Sequence, residues 1–146
     1  SVSKVLIELP LHWLVALSFY RVVGVLFLYL YFSGSEILSR GFALNAGWGD
    51  LMTGLLALPV AWFVYKRKPY AYGTLIAWTI FGILDLFVAP GSAFYYGVEQ
   101  LAEFPISFIP IFLGPPFGIV LHLITWRVAW LQRQAKSNAS SKANTN

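Results

Sequence analysis

Residues 47–61, GWGDLMTGLLALPVA, form an apolar run of helix length with one aspartate, Asp50, inside it. An ionised carboxylate in an apolar segment is costly unless a partner holds it. At spacings of three and four residues, one helical face around Asp50 carries only small side chains. These are Ala43, Ala46, Gly47, Thr53, Gly54, Ala57 and Ala61. Because small faces let membrane helices approach closely, this pattern predicts that Asp50 points toward other helices.

The composition lies outside the range of soluble domains. Of the 146 residues, 58% are hydrophobic and 11% are charged, and the mean hydropathy is +0.69. These values indicate a polytopic membrane protein that is embedded in a lipid bilayer. The lack of cysteine excludes disulfides and thiol chemistry, and the small, dispersed net charge of +4 argues against nucleic-acid binding. The two histidines, His12 and His122, are far apart, so we expect no metal site and no cofactor.

Hydropathy divides the chain into four segments long enough to cross a membrane, since about 20 helical residues match a bilayer core of roughly 30 Å. The predicted spans are residues 11–32, 43–65, 70–94 and 104–131. We therefore predict an all-α fold, an integral membrane four-helix bundle over residues 1–131. The polar residues 132–146 are predicted to form a disordered tail.

The fourth predicted span contains prolines at positions 105, 110, 115 and 116. A proline inside a helix removes one backbone hydrogen bond and clashes with the preceding turn. The fourth helix is therefore predicted to be kinked or broken by its prolines.

Basic residues indicate the orientation of the spans. Lys66, Arg67 and Lys68 form the densest positive cluster, in the short connection between the second and third spans. A positive cluster in a short loop is typical of the cytoplasmic side. Arg133 and Lys136 follow the fourth span, which agrees with an even number of spans and two cytoplasmic termini. We expect the protein in a bacterial cytoplasmic (inner) membrane.

Three further polar residues, Arg21, Asp85 and His122, also lie on the smallest faces of their predicted helices. Counting inward at about 1.5 Å per residue places Arg21, Asp50 and Asp85 within roughly 6 Å of one another in depth. Arg21 is predicted to pair with both aspartates, because an unpaired charge at a helix centre costs about 2.5–3.5 kcal/mol. His122 is predicted to lie deeper, toward the cytoplasm. The paired set keeps one negative charge, which a proton, a fourth group or a ligand must balance.

Glycines on the same faces are predicted to be helix-packing positions. They are Gly47, Gly54, Gly82, Gly114 and Gly118.

Three interpretations of the charged cluster stay open. It holds three helices in one register, because buried ion pairs often specify an arrangement. Alternatively, it belongs to a proton pathway that runs from the aspartates toward His122, because ionisable residues within spans mark such pathways. In the third interpretation, the two carboxylates line a cavity that binds a small ligand or lipid, and they act as the acid and base of an isomerase reaction.

Several short segments resemble a family of small, uncharacterised bacterial polytopic membrane proteins. Together they extend from about Pro10 to Arg127 and are more specific in combination than singly. The resemblance implies a membrane fold and no particular activity. Members of that family often carry further hydrophobic sequence upstream, so we expect more helices before Ser1. The matching segments are Tyr20-Arg21 with Gly24, Phe42-Ala43-Leu44 with Gly47 and Gly49-Asp50, Gly82-Ile83-Leu84-Asp85, Phe104-Pro105 through Ile109-Pro110, and Leu121-His122-Leu123.

These observations lead to one functional expectation and two alternatives. We expect a structural or accessory subunit of a larger membrane complex, without enzymatic activity and with other membrane subunits as partners. The first alternative is a small proton-coupled transporter or channel component. The second is an intramembrane ligand-binding, lipid-binding or isomerase bundle.

Overall fold

The computed structural model describes residues 2–34, 38–96 and 105–143. Within these ranges the chain is all-helical, without strands, as predicted. A 3₁₀ segment, Ser18–Gly24, joins two of the α-helices directly. The α-helices are α1 (Val2–Glu8), α2 (Leu11–Leu17), α3 (Val25–Phe32), α4 (Arg40–Tyr65), α5 (Ala71–Tyr96) and α6 (Pro105–Ala143).

In the part of the chain that the structure describes, three stretches of helix are long and apolar enough to cross a membrane: Leu11–Phe32, Arg40–Tyr65 and Ala71–Tyr96. The first comprises α2, the 3₁₀ segment and α3, and we call it the first rod. These stretches match the first three predicted spans to within a few residues at each end. The fourth predicted span lies almost entirely within α6.

The 3₁₀ segment at the centre of the first rod departs from the regular helix expected there. Ser18, Arg21 and Gly24 are its buried residues, and they recur every third position. Such a stripe turns around an α-helix but stays on one side of a 3₁₀ helix, which has three residues per turn. A run of seven residues is long for this conformation. The local winding therefore directs all three residues toward the interior of the bundle.

The fourth helix was predicted to be kinked or broken by its prolines, and the structure contradicts the break. Helix α6 begins at Pro105 and continues without interruption past Pro110, Pro115 and Pro116. Pro105 is the first residue of the helix, where the missing N–H has no intrahelical partner to lose. The other prolines each remove one hydrogen bond, but their fixed φ is that of a helix, and the intervening residues keep their own bonds.

The C-terminal segment also differs from the expected disordered tail. Helix α6 extends through Ala143, so most of residues 132–146 continue it as an exposed polar helix. Residues 144–146 lie outside the described part of the chain. Glutamine, lysine, arginine and alanine favour helix, and extending an existing helix requires no new nucleation.

Helix α4 is the central element of the fold. It packs against α2, the 3₁₀ segment and α3 on one side and against α5 on another, while α6 packs against α5, α1 and α2. Two apolar clusters fill the interior. One contains Val15, Ala57, Val60, Ala61, Leu75, Trp78 and Ala129, and the other contains Phe27, Leu38, Phe42, Ala43, Ala46 and Ala93. Along the first rod and α4, the charged residues lie between these two clusters.

Candidate functional site

Arg21 is the centre of the candidate site. It is only 1% exposed, and its guanidinium donates hydrogen bonds to groups on two other helices. Nε donates to Oδ1 of Asp50 at 2.7 Å, and Nη2 lies 2.6 Å from the same oxygen. Nη2 also donates to Oδ2 of Asp85, and Nη1 donates to the carbonyl oxygen of Gly82 at 3.2 Å. One side chain therefore connects the first rod, α4 and α5.

Glycines allow the backbones around Arg21 to approach closely. A Cβ atom on Gly24 would overlap Cβ of Asp50, and one on Gly54 would lie 2.6 Å from the backbone nitrogen of Val22. A Cβ on Gly49 would overlap the Asp85 carboxylate. The small face of α4 therefore sets the separation at which Arg21 reaches both acids.

The charges of Arg21, Asp50 and Asp85 balance only if one of the two acids is protonated. Arg21 contributes one positive charge, and Asp50 and Asp85 contribute two negative charges when both are ionised. Among the described residues, the ion pairs of these carboxylates are both made with Arg21. The Asp85 side chain is 6% exposed and the Asp50 side chain is 20% exposed, so Asp50 is the better placed to meet a group from outside.

His122 lies beside the charged cluster and is not bonded to it. Its side chain is fully buried, and its ring lies 4.7 Å from the ring of Trp78, centroid to centroid. It also packs against Gly82, because a Cβ there would overlap the imidazole. Neither ring nitrogen has a hydrogen-bond partner in the described part of the protein. The structure therefore brings all four predicted polar residues into one region, with His122 separated from Arg21 by the backbone of Gly82.

Four of the five predicted packing glycines make close contacts. A Cβ on Gly47 would lie 2.7 Å from Cγ of Leu28, and one on Gly118 would lie 2.8 Å from Cδ1 of Leu86. The contacts of Gly54 and Gly82 are those described above.

Gly114 is the exception. No described atom lies within 4 Å of the position of its Cβ, which corrects the packing role predicted for this residue. At this level the hydroxyl of Tyr20 donates to the Gly114 carbonyl oxygen at 3.4 Å. At Gly114, α6 therefore contacts the first rod through the Tyr20 side chain and not through close backbone packing.

Sequence reasoning missed the role of Trp78. Its Nε1 donates to the carbonyl oxygen of Thr53 at 3.0 Å, which joins α5 to α4 beside the charged cluster. The signal was available, because the other five tryptophans lie near predicted helix ends and Trp78 lies within a span. A tryptophan at that depth needs an acceptor for its N–H. The buried Thr79 hydroxyl was also missed. A threonine within an apolar helix is common, so the sequence gives no signal for it.

Comparison with protein families gives a match over most of the chain. The family model described as a domain of unknown function, DUF8737, matches residues 5–130. That range contains every residue of the charged cluster and His122. No curated protein and no solved structure matches the chain.

Proposed function

The chain belongs to the DUF8737 family, and we propose that it is a polytopic membrane protein that acts as a structural or accessory subunit of a larger membrane assembly. The proposed partners are the bilayer and other membrane subunits, and the proposed role is non-catalytic. In the three apolar stretches, only 33%, 33% and 39% of the residues in the most hydrophobic window are buried inside the protein. The remaining apolar surface needs an apolar surrounding, which lipid and neighbouring subunits supply.

The proposed topology has four spans, with α6 as the fourth. The connection that contains Lys66, Arg67 and Lys68 then lies in the cytoplasm, together with both termini. Lys66 lies over the rings of Trp62 at 4.7 Å and Tyr65 at 5.2 Å, an arrangement that suits the headgroup region. The proposed location is a bacterial inner membrane.

The observation that carries the structural role is the bonding of Arg21. Each of its three nitrogens contacts an oxygen of another helix, so the hydrogen bonds of the cluster are directed inward. Such an arrangement fixes the relative positions of the first rod, α4 and α5 and so gives the bundle one defined outer surface. A defined outer surface is what an accessory subunit offers to its partners.

Copurification tests the accessory role. We expect extraction of the tagged chain in a mild detergent to give a complex with other membrane subunits at a fixed ratio, measured by native mass spectrometry. A small unrelated membrane protein, tagged and expressed at the same level, is the control for lipid-mediated carry-over. Recovery of the chain alone as one homogeneous species would contradict the proposal.

The excess negative charge favours a second candidate function, a proton-coupled transporter or channel component. In this candidate, Asp50 or Asp85 takes up and releases the proton that balances the cluster. Asp50, with a side chain that is 20% exposed, is the more accessible of the two.

Asp85→Asn distinguishes the two candidates. The substitution makes the cluster neutral and keeps an oxygen that accepts from Arg21, so we expect the free energy of unfolding to change by about 1 kcal/mol or less. If the cluster is purely structural, assembly is also unchanged. Loss of proton flux in proteoliposomes, with folding and assembly intact, would support the transporter instead. Asp50→Asn is the matched variant, since it produces the same change of charge on α4.

A further inference from the structure

Four fully buried polar atoms near the charged cluster have no hydrogen-bond partner in the described part of the chain. They are Oγ1 of Thr53, Oγ1 of Thr79, and Nδ1 and Nε2 of His122. The three residues are at most 1% exposed. A buried polar atom without a partner costs about 1–3 kcal/mol, and buried polar groups in folded proteins are nearly always bonded to protein or to water. Four such costs together would be comparable to the whole stability of a domain.

The three side chains come from α5, which contains Gly82, and from the two helices that contact Gly82, α4 and α6. Thr53 is on α4, Thr79 is one turn before Gly82 on α5, and His122 is on α6. At the position of a Gly82 Cβ, the His122 ring would overlap and the methyl group of Thr53 would lie at 3.1 Å. The carbonyl oxygen of Gly82 accepts from Nη1 of Arg21 at 3.2 Å. The side chains of Thr53 and His122 therefore contact the residue whose carbonyl oxygen accepts from Arg21, and Thr79 lies one helical turn away from that residue.

We propose that Thr53, Thr79 and His122 form an internal water-binding site next to the charged cluster. Each threonine hydroxyl both donates and accepts, and a neutral imidazole has one donor and one acceptor, so water satisfies all of them. Buried waters make about three hydrogen bonds each to groups of this kind. The described residues contain no group of three histidine, aspartate or glutamate side chains that could hold a metal ion.

The site makes the interior of the bundle partly hydrated at the level of Gly82. The ring of Trp78 lies against His122, and the Trp78 N–H is already used by the Thr53 carbonyl oxygen. Water is therefore the available partner for the imidazole nitrogens. The proposal is independent of the accessory role, because it concerns only groups inside one chain.

Solid-state NMR on the chain in lipid bilayers tests the site directly. With ¹⁵N-labelled histidine, the variant His12→Gln leaves His122 as the one labelled imidazole. We expect magnetisation transfer from water protons to the His122 ring nitrogens. The unsubstituted chain provides a positive control, because His12 is only partly buried and its ring contacts Tyr65 near a helix end. A His122 ring without transfer from water, in a variant whose circular dichroism spectrum matches that of the unsubstituted chain, would overturn the proposal.

Isosteric variants test the contribution of the two threonines. Because a buried water needs about three hydrogen bonds, Thr53→Val with Thr79→Val is expected to abolish most of the water transfer to His122. An unchanged transfer in a folded double variant would overturn the assignment of the hydroxyls to the site. If the double variant does not fold, the same transfer is measured in Thr53→Val and in Thr79→Val separately. The measurement on the chain with both threonines tests the water site in either case. Recovery of the chain without partner subunits would leave this result untouched, so the two proposals fail separately.

Discussion

Replacement of Arg21 by methionine is expected to lower the free energy of unfolding by about 3–5 kcal/mol. Methionine keeps an unbranched apolar stem but removes the guanidinium, so Asp50 and Asp85 lose the counter-charge that they share. Removal of one partner from a buried ion pair is costly because the remaining charge stays desolvated. Here two carboxylates remain, and three hydrogen bonds to α4 and α5 are lost. Unfolding in detergent micelles, followed by circular dichroism against denaturant, measures the change.

Two further variants separate the loss of charge pairing from the loss of packing. The triple variant Arg21→Met, Asp50→Leu, Asp85→Leu is expected to regain most of the stability, because apolar replacement of a whole buried ion cluster is often neutral or stabilising. Arg40→Met, at the exposed start of α4, is the control for removing an arginine and should change the stability little. If Arg21→Met unfolds at the same denaturant concentration as the unsubstituted chain, the cluster does not hold the bundle together.

Helical periodicity and depth made the charged cluster predictable. Asp50 and Asp85 lie on faces of small residues, and counting at a fixed rise per residue places them level with Arg21. An arginine at that depth has few low-energy alternatives to a carboxylate partner. The ends of the first three apolar helices could also be predicted, because hydropathy falls abruptly where each apolar segment meets its polar connection.

Other features could not be read from the sequence, for separate physical reasons. Residues three apart are also neighbours on an α-helix, so the positions of Ser18, Arg21 and Gly24 do not by themselves predict a 3₁₀ segment. The difference between Gly114 and Gly118 depends on other helices, because Leu86 of α5 lies beside Gly118 and no described atom lies within 4 Å of a Gly114 Cβ. The four unpartnered atoms around Gly82 arise only when α4, α5 and α6 are placed together. Each of these features depends on tertiary contacts that no local pattern contains.

Helix α6 differs from its prediction because local sequence preferences were weighed without the tertiary contacts of the helix. Prolines discourage helix in isolation, and a polar sequence such as residues 132–143 often stays unfolded alone. In the structure both segments belong to one continuous helix. Between these two segments, the apolar residues Leu121, Val128 and Ala129 are buried against the other helices. This packing stabilises the helix that both segments extend.

Gly54→Ala is expected to destabilise the bundle by about 1–3 kcal/mol, the range typical of overpacking. The added Cβ would lie 2.6 Å from the backbone nitrogen of Val22 and 3.1 Å from the carbonyl carbon of Arg21. Backbone atoms cannot rotate away as a side chain can, so the first rod must move from α4. That movement also stretches the hydrogen bond between Arg21 and Asp50, now 2.7 Å long. The free energy of unfolding in detergent is again the measurement.

Gly73→Ala is the matched control, because the same methyl group is added to a glycine inside α5 at a position with no described atom within 4 Å. There the substitution should stabilise the chain by about 0.5–1 kcal/mol, since alanine loses less backbone entropy in a helix than glycine. The intrinsic gain is present at Gly54 too, so the difference between the two variants measures the cost of separating the first rod from α4. Equal effects at both positions would mean that the close approach at Gly54 contributes nothing to the geometry of the Arg21 cluster.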